Sequence, residues 1–270
     1  MSDPLVNFSN EDLLTFFAVL VRYSVLLSLM PITGDRVVPG PVKILLSVAL
    51  TFTLFPALLS RGWVRPADAL VWGNTVIGIA GTVAMEVLAG VMLAFTSRLL
   101  FESISFAANL ISSFMGYSAA TFFDPHFESQ TQVLSELQLA LAMLCFLALD
   151  GHHMLLKSAL ESYKWLGLGQ ATVNAQVVER LTGMTGQMIV LAIRISAPIA
   201  VSIFGVNVAF GVIARTMPQM NILVLSFAIT SLVGFLVLLA GMPEWLTATS
   251  GVLSWTGEWI LSMSKALAGG

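Results

Sequence analysis

Four charged residues interrupt long apolar stretches of this sequence, and they are the first candidates for chemistry. They are Arg22, Glu86, Arg194 and Arg215. A charged side chain is costly in lipid, so it usually faces the interior of a helix bundle, a partner protein or water. For Glu86 and Arg215 we favour structural pairing with other residues over direct contact with a transported cargo.

No signature of an enzyme accompanies these charges. The sequence lacks G-x-S-x-G, H-E-x-x-H, the Walker lysine loop and G-x-G-x-x-G. His152 and His153 are adjacent, so on a helix they point about 100° apart and do not readily share a metal ion. The single cysteine, Cys145, lies in an apolar run, which is typical of a buried apolar residue. We therefore expect no enzyme activity, no cofactor and no metal.

The composition requires an environment other than water. Apolar residues make up 57% of the 270 residues and charged residues only 10%, whereas a soluble domain carries roughly 25% charged residues. A soluble fold of this size cannot bury so much apolar surface, which excludes a free soluble enzyme. The formal net charge of -3 gives no support for nucleic-acid binding, which needs a basic face.

Several stretches approach or exceed the roughly 20 apolar residues that a membrane-spanning helix needs. Leucine, alanine and methionine are abundant, and the ten-residue alternation of a membrane β-barrel is absent. We predict an all-α, multi-helix integral membrane protein that forms a single domain over residues 1–270. The predicted helical stretches are Leu13–Met30, Val42–Leu59, Leu70–Phe95, Val133–Leu149, Gln187–Ala214, Gln219–Ala240 and Trp245–Leu267.

The distribution of basic residues gives no orientation for these stretches. Arg36 precedes the second stretch and Lys43 is its second residue, and Arg61 and Arg65 follow it. If this stretch crosses the bilayer, basic charge lies equally on both sides, and the positive-inside rule gives no answer. This pattern indicates that partner proteins, and not lipid alone, cover some of the apolar helices.

One uncharged segment, Ser103–Phe123, is rich in small and polar residues and differs from a lipid-facing helix. On a helix, Ala108, Ser112, Gly116 and Ala120 fall on one face at four-residue spacing. Small residues at this spacing allow tight helix packing, which is one interpretation. The other is a segment that lines or closes a pore, because irregular backbone at membrane depth is tolerated only beside protein or water. Phe114, Met115 and Tyr117 would then be exposed apolar tips.

Five motifs, in this order, resemble the FliR family of flagellar type III export-gate subunits and its virulence-secretion counterpart. The resemblance covers nearly the whole chain. The motifs are Arg22 and Pro31 followed by VVPGPVKILL, with Pro39 and Lys43; MEVLAGVMLAF, with Glu86 and Gly90; NLISSFMGYSAATFFDP, with Asn109, Asp124 and Pro125; FLALDGHHMLL; and FGVIARTMPQMNILVLSF, with Arg215, Pro218, Gln219 and Asn221.

This resemblance implies a subunit of a channel for unfolded flagellar proteins in the bacterial inner membrane, within the flagellar basal body. Its fold resembles a fusion of FliP and FliQ, packed as helical hairpins in a hetero-oligomeric gate. The implied partners are FliP-like and FliQ-like subunits, an FlhB-like switch protein and an FlhA-like export-gate protein. The family also has a loop that plugs the closed channel, which falls here on Phe114, Met115, Gly116 and Tyr117. The other motif residues named above are expected at structural or interface positions.

Two other functions remain open from the sequence. One is the equivalent subunit of a virulence type III secretion system, which shares the same motifs. The other is a self-contained secondary transporter, which would also explain buried charges and broken helices. Against the transporter stand the lack of a recognisable internal repeat and the poor orientation signal.

Overall fold

Residues 9–31, 38–117, 128–216 and 222–269 are described by a computed structural model, without the side chains of residues 128–133 and 222–224. In these ranges the chain forms helices and no strand. The α-helices are α1 (Asn10–Leu29), α2 (Gly40–Ser60), α3 (Ala69–Trp72), α4 (Val76–Phe114), α5 (Glu128–Ala148), α6 (Gly151–Ser162), α7 (Ala175–Thr216), α8 (Ile222–Ala240), α9 (Met242–Ser254) and α10 (Thr256–Leu267). A 3-10 turn, Pro66–Asp68, precedes α3.

Four helices, α1, α2, α4 and α7, are long and apolar enough to cross a membrane. Two further helix pairs, each interrupted by a short break, bring the number of possible spans to six. These are assignments by length and composition over the described residues. The prediction of an all-α integral membrane protein is confirmed.

Several helix limits differ from those predicted from the sequence. The stretch Leu70–Phe95 was expected as one helix, but Gly73 interrupts it and α4 then continues to Phe114. At Gly73 a Cβ would lie 2.6 Å from the carbonyl oxygen of Ala69, so the break relies on a residue without a side chain. The stretch Trp245–Leu267 likewise divides into α9 and α10.

The N-terminus of α7 lies twelve residues earlier than predicted, at Ala175 rather than Gln187. Asn174 explains the difference, because its side-chain oxygen accepts a hydrogen bond from the amide of Val177 at 3.0 Å. Such a side-chain cap satisfies one of the amide groups that a helix leaves unpaired at its first turn. The polar residues between Ala175 and Gln187 hid this first part of the helix from a search for apolar runs.

The chain divides into two compact units, and α4 and α7 contribute residues to both. Unit 1 comprises residues 1–99, 152–184 and 255–270. In it, α1 buries one face whose residues recur three and four positions apart: Thr15, Ala18, Val19, Arg22, Tyr23, Leu26 and Leu27. The ring of Phe55 on α2 meets Phe16 edge-on at 5.5 Å. The single domain over residues 1–270 stays a prediction.

Unit 2 comprises residues 100–151 and 185–254. Its buried cluster joins the end of α4 to the middle of α7 and the end of α8, and consists of Ile111, Met115, Ile199, Ile203 and Leu238. Elsewhere in this unit the rings of Phe101 and Phe146 meet edge-on at 4.9 Å. The last turns of α4 are thereby part of a packed core.

Candidate functional site

Arg22 on α1 and Glu86 on α4 form a buried ion pair in unit 1. The Nε and Nη2 atoms of Arg22 donate to the two carboxylate oxygens of Glu86 at 2.6 and 2.9 Å. The side chains are only 2% and 1% exposed. This bidentate geometry is the strong form of an arginine–carboxylate contact. Glu86 therefore takes part in structural pairing, as predicted from the sequence.

The same ion pair holds the turn that follows α6. Arg22 donates through Nη1 to the hydroxyl of Ser162 and, through both terminal nitrogens, to the carbonyl oxygen of Leu166, each at 3.3 Å. Its Nη2 also donates to the carbonyl of Gly167 at 3.4 Å. In return, the amide of Gly169 donates to Glu86 at 2.8 Å. We name this arrangement the Arg22 clasp.

Tyr163 completes the clasp from one side. The guanidinium carbon of Arg22 lies 3.8 Å from the centre of the Tyr163 ring, in a cation–π contact. A buried charge is tolerated when its partners are close and its donors are satisfied. Here a carboxylate, a hydroxyl, two carbonyls and a ring surround the guanidinium. The role that this site supports is structural: it holds α1, α4 and the turn after α6 in a fixed arrangement.

Gly90 allows α4 to approach α1 closely, one turn beyond Glu86. A Cβ at Gly90 would lie 2.9 Å from the carbonyl oxygen of Arg22 and 2.9 Å from the Cβ of Val25. Both are too close for a real side chain, and neither is the end of a flexible group. Glycine is therefore required for the present spacing of the two helices.

The predicted plug residues lie at the end of α4 in unit 2, and they differ from one another in exposure. Phe114 is 40% exposed, whereas Met115 is completely buried. The expectation that Met115 is an exposed tip is wrong. The Met115 side chain packs against α8 at Gly234. A Cβ on Gly234 would lie 2.5 Å from the Met115 side chain, so Met115 fits there because Gly234 has no side chain.

The residues next to Met115 are also docked on α8. The hydroxyl of Thr230 donates to the carbonyl of Met115 at 3.1 Å. Gly116 has a left-handed backbone, with φ of 90°, which favours glycine. The ring of Tyr117 meets Phe227 edge-on at 5.7 Å. Residues 115–117 thus form a docked segment, which we name the Met115 latch.

The first part of the small-residue segment is helical and not a loop. Ala108 and Ser112 are buried, and the hydroxyl of Ser112 lies 2.9 Å from that of Ser135 on α5. The same Ser135 hydroxyl donates to the carbonyl of Ala108 at 3.4 Å. Tight helix packing, one of the two interpretations from the sequence, is confirmed for these residues.

The remaining predicted positions are spread over the chain. Pro39 precedes α2, and its carbonyl accepts from the amides of Val42 and Lys43 at 3.0 and 3.3 Å. Asn109 is exposed and donates to the carbonyl of Ser105 one turn earlier, at 3.0 Å. Arg215 is exposed in the last turn of α7 and pairs with no carboxylate in the described ranges. Its structural pairing stays a prediction. Ala120, Asp124, Pro125, Pro218, Gln219 and Asn221 lie outside the described residues.

Comparison with known proteins identifies the family. The model of the bacterial export proteins, family 1, matches residues 13–254. The chain belongs to this family. Among the curated relatives of this export protein is the flagellar biosynthetic protein FliR of Escherichia coli K12, 29% identical over 228 residues, which cover 84% of each chain. FliR of Bacillus subtilis 168 is 26% identical over 246 residues, 90% of this chain and 92% of the relative. The FliR resemblance drawn from the motifs is confirmed.

Sequence reasoning missed the residues that complete both sites. Arg22 and Glu86 were singled out separately, but their pairing and the role of Tyr163 were not foreseen. The two glycines of the GLG run at 167–169 were a usable signal for a turn. Gly234, in the middle of the apolar helix α8, was a usable signal for close packing, because glycine otherwise weakens a helix.

Proposed function

We propose that this protein is a subunit of the flagellar type III protein export gate in the bacterial inner membrane. It forms part of the channel wall through which unfolded flagellar proteins cross, and it acts without catalysis. The observation that carries this proposal is the match to a family of bacterial export proteins over residues 13–254 of a multi-helix membrane chain. The relatives named above are flagellar biosynthetic proteins.

Exposed apolar helix faces support assembly with other membrane proteins. On α2, Ile44, Leu45 and Phe52 are 65%, 70% and 67% exposed. On α7, Val201 and Phe204 are both 70% exposed. Such faces require lipid or apolar protein. We assign them to contacts with FliP-like and FliQ-like subunits, beside an FlhB-like switch protein and an FlhA-like gate protein.

The assembly is tested by native mass spectrometry of this chain, co-expressed with the FliP-like and FliQ-like genes and extracted in mild detergent. We expect a stable mixed complex with one copy of this chain. The matched control omits this chain, and the mass of the remaining complex then shows what the subunit adds. A monomer or homodimer without retained partners would contradict the gate and favour a self-contained transporter.

We further propose that the plug of the closed channel is built on Phe114, Met115, Gly116 and Tyr117. The Met115 latch supports this by showing how such a segment is held: a buried methionine anchors it, and Gly116 gives its backbone a left-handed turn. Phe114 is the large side chain of the four that is left exposed. In the closed gate it blocks the passage, and release of Met115 from α8 opens it.

An ion-leak assay on cells that express the assembled gate tests the plug. We expect Phe114→Ala and deletion of Gly116 to increase ion leakage. Phe106→Ala is the matched control, because Phe106 lies two turns earlier on α4 and is similarly exposed, at 38% against 40%. Equal leakage from Phe114→Ala and Phe106→Ala, or normal leakage from both plug variants, would contradict the assignment.

A further inference from the structure

An exposed tryptophan with two lysines forms a surface patch in unit 1 that the proposed export function does not use. Trp165 is 45% exposed. The ammonium nitrogen of Lys265 lies 4.4 Å from the centre of a Trp165 ring, and that of Lys164 lies 5.3 Å away. Both lysines are exposed. We name these three residues the Trp165 patch.

The backbone beneath the patch is firmly held, although the patch itself is exposed. The amide of Trp165 donates to the carbonyl of Ser162 at 3.1 Å, at the end of α6. The next residue, Leu166, is completely buried and its carbonyl accepts from the Arg22 clasp. Lys265 lies in the last turn of α10, and the carbonyl of Leu267 accepts from the amide of Thr172 at 3.0 Å. Two separately anchored helix ends therefore present the two lysines to one ring.

The charge of the patch is available for an external anion. Neither Lys164 nor Lys265 forms an ion pair with a carboxylate in the described parts of the chain. The patch thus carries two positive charges beside an amphipathic ring. In a membrane protein, exposed tryptophan prefers the level of the lipid headgroups, and lysine at that level reaches toward lipid phosphate. Clusters of basic residues near a membrane surface attract anionic lipids.

We propose that the Trp165 patch binds the headgroup of an anionic phospholipid. The phosphate lies between the ammonium groups of Lys164 and Lys265, and the Trp165 ring packs against the glycerol and the start of the acyl chains. This site holds the end of α6 and the end of α10 at the membrane surface. The proposal does not depend on the export function, because it rests on charge, exposure and membrane residence alone.

Lipid retention by the full-length chain tests the patch. The chain is purified in mild detergent with its co-expressed gate subunits, mixed with phosphatidylglycerol or phosphatidylcholine, and measured by native mass spectrometry. We expect preferential retention of phosphatidylglycerol. Lys164→Gln and Lys265→Gln should each lower that retention about fivefold, the ordinary contribution of one basic residue near an anionic surface. Trp165→Leu should lower the retention of both lipids, because both use the ring.

Arg61→Gln provides the matched control. Arg61 lies at the end of α2 with its guanidinium carbon 4.8 Å from the Trp63 ring, so it is one cation beside one tryptophan in the same unit. Its loss should leave phosphatidylglycerol retention within twofold of the unmodified chain. Unchanged retention in the Lys164→Gln/Lys265→Gln double variant would overturn the proposal. An equal loss of phosphatidylglycerol retention in Arg61→Gln would also overturn it. So would a double variant that loses a gate subunit but keeps its lipid.

Discussion

Removal of one partner of the Arg22 clasp is expected to destabilise the protein strongly. Glu86→Gln keeps the shape of the side chain but removes the negative charge that two Arg22 nitrogens contact at 2.6 and 2.9 Å. A buried ion pair that loses one partner costs about 3–5 kcal/mol, because the remaining charge is left without compensation. Arg22→Met should cost a similar amount, since the amide of Gly169 would then be the one hydrogen-bond donor left to Glu86 among the described residues.

The double variant Arg22→Met/Glu86→Gln combines the two single substitutions and separates the charge effect from general damage to the core. It removes both charges together and leaves mainly the turn carbonyls without their partner. Its loss of stability should be smaller than the sum of the two single losses by at least about 2 kcal/mol. A coupling of this size is typical of residues in one network and absent for independent sites.

The assay is thermal unfolding of the detergent-solubilised assembly, followed by size-exclusion chromatography after heating. At roughly 2–4 °C per kcal/mol for a chain of this size, each single variant should lower Tm by about 6–20 °C. Glu258→Gln is the control, because this carboxylate lies exposed in the first turn of α10 in the same unit. The reasoning would be refuted if the Tm of Glu86→Gln lay within about 2 °C of that of the unmodified protein. It would also be refuted if the stability losses of the two single variants were fully additive.

Three further expectations concern glycines and use the same thermal assay. Gly90→Ala should destabilise the protein by about 1–3 kcal/mol, because α1 must move away from the added side chain. Gly81→Ala is the control and should be neutral or stabilising, because a Cβ at Gly81 meets nothing within 4 Å. Equal effects of the two substitutions would contradict the close approach of α4 to α1. Gly234→Ala should destabilise by displacing Met115, and Met115→Ala should offset part of that loss; additive losses would count against the latch. Gly116→Ala should cost about 1–2 kcal/mol from its left-handed backbone, and no loss would show that this backbone relaxes freely.

Membrane residence could be predicted from composition, because apolar content decides which solvent a chain requires. The helical class could be predicted from the long apolar stretches and the absence of β-barrel alternation. The limits of helices were harder. The prediction ended the third stretch at Phe95, where Thr96, Ser97 and Arg98 interrupt the apolar run, yet α4 continues to Phe114. Ser112 explains this, because it contributes to packing against α5 that hydropathy does not measure.

The clasp and the latch show why individual residues could be chosen but not connected. Arg22 and Glu86 are conspicuous as charges in apolar runs, but they are 64 positions apart, and only the fold brings them together. Met115 was expected to be exposed. Its burial could not be predicted, because a sequence does not show which position of a neighbouring helix lies opposite and lacks a side chain. Gly234 provides that place from 119 positions further along the chain.

The Arg22 clasp binds its turn largely through the main chain, and this determines which substitutions natural variants can accept. Carbonyl oxygens of Leu166 and Gly167 are present whatever side chains those positions carry. Position 169 is more restricted, because its φ of 69° favours glycine and a Cβ there would lie 3.1 Å from Thr82. Among related chains, Arg22 and Glu86 should therefore change only together. Position 167 should vary in residue type, position 166 should stay apolar because Leu166 is completely buried, and position 169 should stay glycine.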